Sequence, residues 1–212
     1  MIKNEGLELM IPVETPLGDL ATMQLPAPEL VSYYRGACNR TFYVDEEIDV
    51  SLIEISKEIM EINRADKDIP VEERKPIWVF IYSYGGELDA AYSFIAVMEA
   101  SKTPVYTVNM GVAMSAGFLI LLGGQKRYCM KRSRALYHSG SADIQGTYEQ
   151  IETNTDSYKK MVKDMREYIM SKTKIDTRLF NKMKSKDWYI SDEEQVQYGI
   201  CDAIVENLDM IM

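Results

Sequence analysis

The chain has 212 residues, 46% of them hydrophobic and 27% charged, which is enough apolar content for one domain with a sizeable core. Its 33 acidic residues outnumber 24 basic ones, giving a net charge of −9, so no basic surplus exists to neutralise nucleic-acid phosphates or anionic lipid. Residues 1–20 show no basic region followed by an apolar run, and no stretch is apolar for long enough to cross a bilayer. A soluble, cytoplasmic chain with no nucleic-acid and no membrane partner is therefore expected. Cys38, Cys129 and Cys201 are odd in number and widely spaced, which argues against a disulfide framework or a zinc site and predicts buried free thiols.

Residues 1–35 carry Pro12, Pro16, Pro26 and Pro28 and are expected to form an arm or hairpin, gating or mobile, ahead of a single domain over 36–212. A short strand, Thr41 to Val44, precedes a helix whose apolar residues Leu52, Ile55, Ile59 and Ile62 recur at three- to four-residue steps. Ser51 and Glu54 have the spacing of a capping box at its start. A charged, proline-containing loop, Asn63 to Pro76, leads into Ile77 to Tyr82, an apolar run of strand length. Gly85 and Gly86 break that run, and a helix follows with Leu88, Ala91, Tyr92, Ile95 and Met98 on one face.

Pro104 stops this helix, Val105 to Asn109 is the next predicted strand, and a small-residue turn opens an apolar helix at about Ala113. Arg127 to Met130 and Arg134 to His138 are predicted strands, followed by a Gly/Ser/Asp segment, Ser139 to Gly146. The longest amphipathic helix, Tyr148 to Lys172, carries Tyr158, Val162, Met165 and Ile169 along one stripe. Trp188 to Ile204 holds a short helix and a last strand. Strand and helix alternate throughout, so the fold class is α/β with crossover helices.

Four features carry candidate chemistry. Gly111-Val-Ala-Met-Ser-Ala-Gly117 lies where a strand turns into a helix, and a sharp turn there can expose the Ser115 hydroxyl beside backbone N–H groups at the helix start. Close helix packing also selects small residues at such a junction. The pair Gly85 and Gly86 can let backbone approach a ligand and aim an N–H at an oxyanion, although a plain tight turn explains it equally. His138, the single histidine, is the base that any Ser/His hydrolase in this chain must use, and a structural role at a strand end is its alternative. Asp187 precedes an aromatic strand, where an acid can orient an imidazole, but spacing does not single it out among 33 acidic residues.

Taken together, these residues resemble the proteolytic subunit of Clp protease over Thr41 to Glu206, about four-fifths of the chain. Ser83-Tyr-Gly-Gly86 is similar to that family's Ser-Pro-Gly-Gly turn, and Gly111 to Gly117 resembles its Gly-x-Ala-x-Ser-x-Gly nucleophile segment. Lys126 to His138 resembles the strand pair ending in the family's catalytic histidine. Gln145-Gly146, Asp187 with its aromatic strand, and Gln197-Tyr-Gly-Ile-Cys-Asp202 are further matches in order. The resemblance implies a serine endopeptidase with Ser115 as nucleophile, His138 as general base and Asp187 as its orienter. It also implies an oxyanion hole from the backbone N–H groups of Gly86 and Ala116.

The implied fold is a crotonase-like superhelix of repeated ββα turns with a protruding "handle" helix from Tyr148. The implied assembly is two stacked seven-membered rings, a tetradecamer, degrading unfolded polypeptides fed by an ATP-driven unfoldase. No cofactor or metal is expected on this chain, since ATP would be used only by the partner ATPase and no GxxxxGK[ST] loop is present. Departures from the family pattern are Tyr84 and Gly140 in place of prolines, a longer Asn63 to Pro76 loop, Lys186 in place of an arginine, and an unlike N-terminal segment. The alternatives are a capsid-maturation or signal-peptide-type peptidase of the same fold, an acyl-CoA enzyme of the crotonase type, and a catalytically silent ring subunit.

Overall fold

The structure, a computed structural model, describes residues 10–14, 20–24, 28–140 and 144–211. It divides into two compact units, residues 1–39 and 40–212. In the first, β1 (Met10–Glu14) and β2 (Leu20–Gln24) pair antiparallel, and α1 (Pro28–Cys38) follows. The helix is an addition to the arm or hairpin expected from sequence; Pro28 stands at its first position, where a missing N–H leaves no bond unmade. Residues 1–9, 15–19 and 25–27 of the expected arm, and residues 141–143 of the Gly/Ser/Asp segment, lie outside the described residues.

The second unit runs β3 (Thr41–Val44), α2 (Leu52–Ala65), β4 (Ile77–Ser83), α3 (Leu88–Ala100), β5 (Val105–Met114), α4 (Ala116–Gly123), β6 (Lys126–Met130) and β7 (Arg134–Tyr137). It continues with α5 (Tyr148–Lys172), α6 (Thr177–Met183), β8 (Trp188–Ile190), α7 (Asp192–Gln197) and β9 (Ala203–Val205). Strands β3, β4, β5, β6 and β9 lie side by side in that order and are all parallel. Ile77, Val79, Ile81, Val105 and Val108 are fully buried, as strands of a parallel sheet require. Helix α4 is buried along its whole length, and its Phe118, Leu119, Ile120, Leu121 and Leu122 each contribute roughly 1.5–3 kcal/mol of burial.

Strand β5 differs from the sequence expectation and positions everything that follows. It does not stop at Asn109 but runs on to Met114, and α4 begins at Ala116, not near Ala113. Its first half pairs with β6, up to Asn109 opposite Cys129, and its second half pairs with β7, from Val112 opposite Arg134. Buried Asn109 sits at this fork: its amide donates to the Arg134 carbonyl and to Gln195 Oε1, and its oxygen accepts from the Gly111 N–H. The change of partner breaks the apolar alternation, which is why periodicity ends the strand early.

Three smaller expectations are corrected. Ser51 caps nothing with its side chain, because its backbone is already helical and Asp49 Oδ1 accepts from its N–H at 2.8 Å; Glu54 pairs instead with Lys57. The Asn63 to Pro76 loop begins only after α2 ends at Ala65, since Asn63 closes the helix against the turn before β5 by accepting from the Lys102 and Thr103 N–H groups. Cys129 and Cys201 are buried free thiols, whereas Cys38 is exposed on α1.

Helix α5 starts with a capping box made by Thr147 and Gln150 and spans 25 residues, of which only Met165 and Ile169 are buried. Its outer half leaves Tyr148 and Ile151 exposed. Among the described residues, no helix is long and apolar enough to cross a membrane.

Candidate active site

Ser115 is the single residue between β5 and α4, and it adopts φ 53° and ψ −119°. A left-handed φ in a residue with a Cβ is strained by about 1–3 kcal/mol and persists only where surrounding structure imposes it. Here the Ser115 N–H is bonded to the Leu136 carbonyl at 3.0 Å, extending the β5–β7 ladder, while its own carbonyl accepts from Phe118 to start α4. The turn lifts Oγ out of the sheet toward the end of β7. There His138 Nε2 lies 2.8 Å from Ser115 Oγ. These two residues, singled out in the sequence, are brought together.

Gly85 and Gly86 follow β4, and neither position can carry a side chain. A Cβ on Gly85, at φ 115°, would come 2.6 Å from Ser115 Cβ and 3.2 Å from its Oγ. One on Gly86, at φ 150°, would come 2.1 Å from the Ile48 carbonyl oxygen. Ile48 bridges this turn in the parallel sense, donating to the Gly85 carbonyl and accepting from the Glu87 N–H. In a parallel bridge the intervening residue directs its own N–H to the opposite side, so the Gly86 N–H faces away from Ile48. Buried Ser83 braces the turn: its hydroxyl donates to the Glu46 carbonyl and accepts from the Gly85 N–H.

Ala116 is the first residue of α4, where no intrahelical carbonyl reaches its N–H and the helix dipole is positive. Among the described residues, no hydrogen bond comes from the Ala116 N–H, which stands beside Ser115. Beside the glycine turn, the rings of Tyr82 and Tyr84 meet edge to face with centroids 6.3 Å apart. The hydrogen bond with Tyr84 holds the Tyr82 hydroxyl above its usual pKa.

Asp187 is not joined to this pair. It lies just before β8, exposed, and no hydrogen bond connects it to His138 among the described residues. Its backbone is nevertheless well placed: β7 and β8 are antiparallel with Tyr137 opposite Trp188. One residue further along that register, Asp187 falls opposite His138, a separation of about 5 Å between backbones in a regular ladder. The role of Ser83 was not legible from sequence, because it depends on a carbonyl 37 residues away.

The family model for Clp protease matches residues 40–208. The chain is 31% identical over 134 residues to the ATP-dependent Clp protease proteolytic subunit 2 of Treponema pallidum, covering 62% of this chain and 67% of that protein. It is 33% identical over 135 residues to the protein of the same name in Treponema denticola, covering 63% and 68%. Against the ATP-dependent Clp protease proteolytic subunit of Deinococcus radiodurans it is 28% identical over 143 residues, covering 66% and 69%. Since the family match takes in nearly the whole second unit, from the strand that opens the sheet to the residues beyond β9, the chain belongs to the Clp protease family of serine endopeptidases.

Proposed function

We propose that the chain cleaves peptide bonds through a Ser115, His138 and Asp187 triad. The observation that carries this reading is the 2.8 Å contact between Ser115 Oγ and His138 Nε2, at a strained turn that opens a buried helix. Neutral imidazole takes the hydroxyl proton through Nε2 as Oγ attacks the scissile carbonyl carbon. The carbonyl π electrons move onto oxygen, which the backbone N–H groups of Gly86 and Ala116 stabilise. The imidazolium then gives its proton to the departing amine as the carbon–nitrogen bond breaks, leaving an acyl-serine. Water, deprotonated by the same nitrogen, hydrolyses that ester and restores Ser115.

Asp187 enters by orienting the Nδ1–H of His138 and stabilising the cation. The β7–β8 register supports this role, because Tyr137 lies opposite Trp188 and His138 and Asp187 are the next residues along the two strands. In this reading the gap between Asp187 and His138 closes when substrate binds or the subunits assemble.

Assembly into stacked seven-membered rings, a tetradecamer, is part of this proposal. Support comes from α5, whose outer half is apolar in part yet uncovered and has its charges divided. Glu149, Glu152 and Asp156 lie toward one end, and Lys159, Lys160 and Lys163 follow. Two such helices pairing antiparallel would match acid with base. The names of the relatives include ATP dependence, and by that similarity we assign polypeptide substrates delivered by an ATP-driven unfoldase, with ATP used by the partner and no cofactor or metal on this chain. A cytoplasmic site of action belongs to the same proposal.

The test is hydrolysis of a short fluorogenic peptide by the purified protein, beside Ser115→Ala and His138→Ala, with particle mass measured on each sample. Loss of turnover in both variants at unchanged mass is expected. Turnover that survives Ser115→Ala would overturn the reading.

A further inference from the structure

We infer that Tyr158, on the outer half of α5, is a positioning residue for His138, acting through the backbone that immediately follows the imidazole. This rests on the reading of Ser115 and His138 as the reacting pair. The Tyr158 hydroxyl donates to the Ser139 carbonyl at 3.1 Å. That carbonyl belongs to the residue next to His138, at the point where the chain leaves the sheet: β7 ends at Tyr137, and residues 138–140 have no ladder partner. The backbone turns sharply there, with Gly140 at φ 77°. Among the described residues, the Tyr158 bond and the Ser115 contact are the hydrogen bonds that hold this stretch.

The preceding side is fixed differently. The Tyr137 ring packs against Phe180 of α6 with centroids 5.1 Å apart, and the Arg166 guanidinium of α5 lies over the Phe180 ring, 5.4 Å from its centroid. His138 is therefore flanked by one residue locked into the core and one residue tied to α5 by a single hydroxyl. With Asp187 not bonded to the imidazole at rest, Ser115 is the side-chain partner of the ring among the described residues, and the two backbone anchors help to set its position.

The position of Tyr158 allows that tie and little else. A Cβ at Gly140 would stand 3.4 Å from the Tyr158 hydroxyl, which is ordinary contact, so the loop lies directly against the phenol. Tyr158 is half-buried, and α5 is anchored by Met165 and Ile169 further along, two and three turns from Tyr158. Removing only the hydroxyl should leave those anchors and the helix untouched. What should change is the fraction of time that Nε2 spends at hydrogen-bond distance from Ser115 Oγ.

The experiment compares wild type, Tyr158→Phe, Tyr158→Gln and Ser115→Ala by peptide hydrolysis, reaction of Ser115 with a fluorophosphonate, thermal unfolding and particle mass. For Tyr158→Phe, loss of one net hydrogen bond predicts a fall of about 5-fold in kcat and in the labelling rate, with KM changed less than about 2-fold. Unfolding temperature and particle mass should match wild type, and Tyr158→Gln, whose amide can still donate to the carbonyl, should recover part of the rate. Wild-type kcat in Tyr158→Phe, while Ser115→Ala is inactive, would overturn the inference and leave the catalytic reading standing. A Tyr158→Phe protein that fails to assemble, or loses activity only in step with thermal stability, would show a structural tie and overturn it too. Full activity in Ser115→Ala would remove the catalytic reading and this inference with it.

Discussion

A methyl group on Gly85 should abolish turnover while leaving the subunit folded. In Gly85→Ala the new carbon would stand 2.6 Å from Ser115 Cβ and 3.0 Å from the Met114 carbonyl oxygen. Carbon atoms in good contact are about 3.5–4.0 Å apart, so close to 1 Å of separation must be found. The turn cannot supply it freely, because the Gly85 carbonyl is held by the Ile48 N–H at 2.9 Å and Ile48 in turn holds Glu87. Ser115 must then move, which disturbs its 2.8 Å contact with His138 Nε2.

A displacement of that size at a reacting centre costs about 100-fold in rate. The left-handed φ of 115° adds strain to any residue with a Cβ, about 1–3 kcal/mol, which for a unit of this size lowers the unfolding midpoint by about 2–4 °C per kcal/mol. Peptide hydrolysis and thermal denaturation on the same preparation separate the two effects. The expected pattern is at least about 100-fold lower kcat/KM in a protein that still melts cooperatively. Wild-type turnover in Gly85→Ala would refute the argument that this turn and Ser115 form one rigid centre.

Asp187→Asn should lower kcat by about 1,000-fold or more with little change in stability, since the carboxylate is exposed at rest and acts only when it meets the imidazole; a loss under about 10-fold would remove it from the triad. Asp66 is buried under Arg40, which donates to both of its oxygens at 2.6 and 2.7 Å, and Thr103 donates as well, at 2.9 Å. The Arg40 hydrogen bond holds the Asp66 pKa below its usual value despite burial. The folded carboxylate thus ionises more easily than the unfolded one, so its stabilisation is complete above about pH 5 and fades as pH falls through the folded value. Asp66→Asn should cost about 2–4 kcal/mol at neutral pH and progressively less in acid, measured by denaturant unfolding; a difference that does not vary with pH would contradict the linkage. Ile151→Asp, on the exposed part of α5, should lower particle mass by weakening association at least about 10-fold while the subunit's unfolding midpoint is unchanged.

Much of this architecture follows from periodicity, and the exceptions have local causes. Strand β4 is legible because Ile77 to Tyr82 is nearly continuous in apolar residues, and α5 because Tyr158, Val162, Met165 and Ile169 recur at helical spacing. Helix α6 is not, since Phe180 is its single buried residue between Arg178 and Lys182, which gives no period to detect. The end of β5 is hidden because Met110 and Gly111 are where the strand trades β6 for β7, and a change of partner has no composition signature.

The candidate site divides in the same way. Ser115 and the glycine pair stand out in sequence as small residues at strand-to-helix turns, which close packing or a tight turn explains as well, so the family resemblance was needed to choose the catalytic reading. Asp187 needed the family resemblance, since its relation to His138 comes from the register of two strands 50 residues apart in sequence. The Ser83 brace and the Tyr158 tie depend on which carbonyl lies opposite a hydroxyl, and that is a property of the folded chain alone.

The most direct measurement on the central claim is mass spectrometry of the assembled protein after reaction with a fluorophosphonate, mapping the adduct by digestion. A single adduct on the peptide containing Ser115, absent in His138→Ala and accompanied by loss of peptide hydrolysis, is the predicted result. An adduct on another residue, or none in a particle that hydrolyses peptides, would contradict the assignment of Ser115 and His138 as the reacting pair.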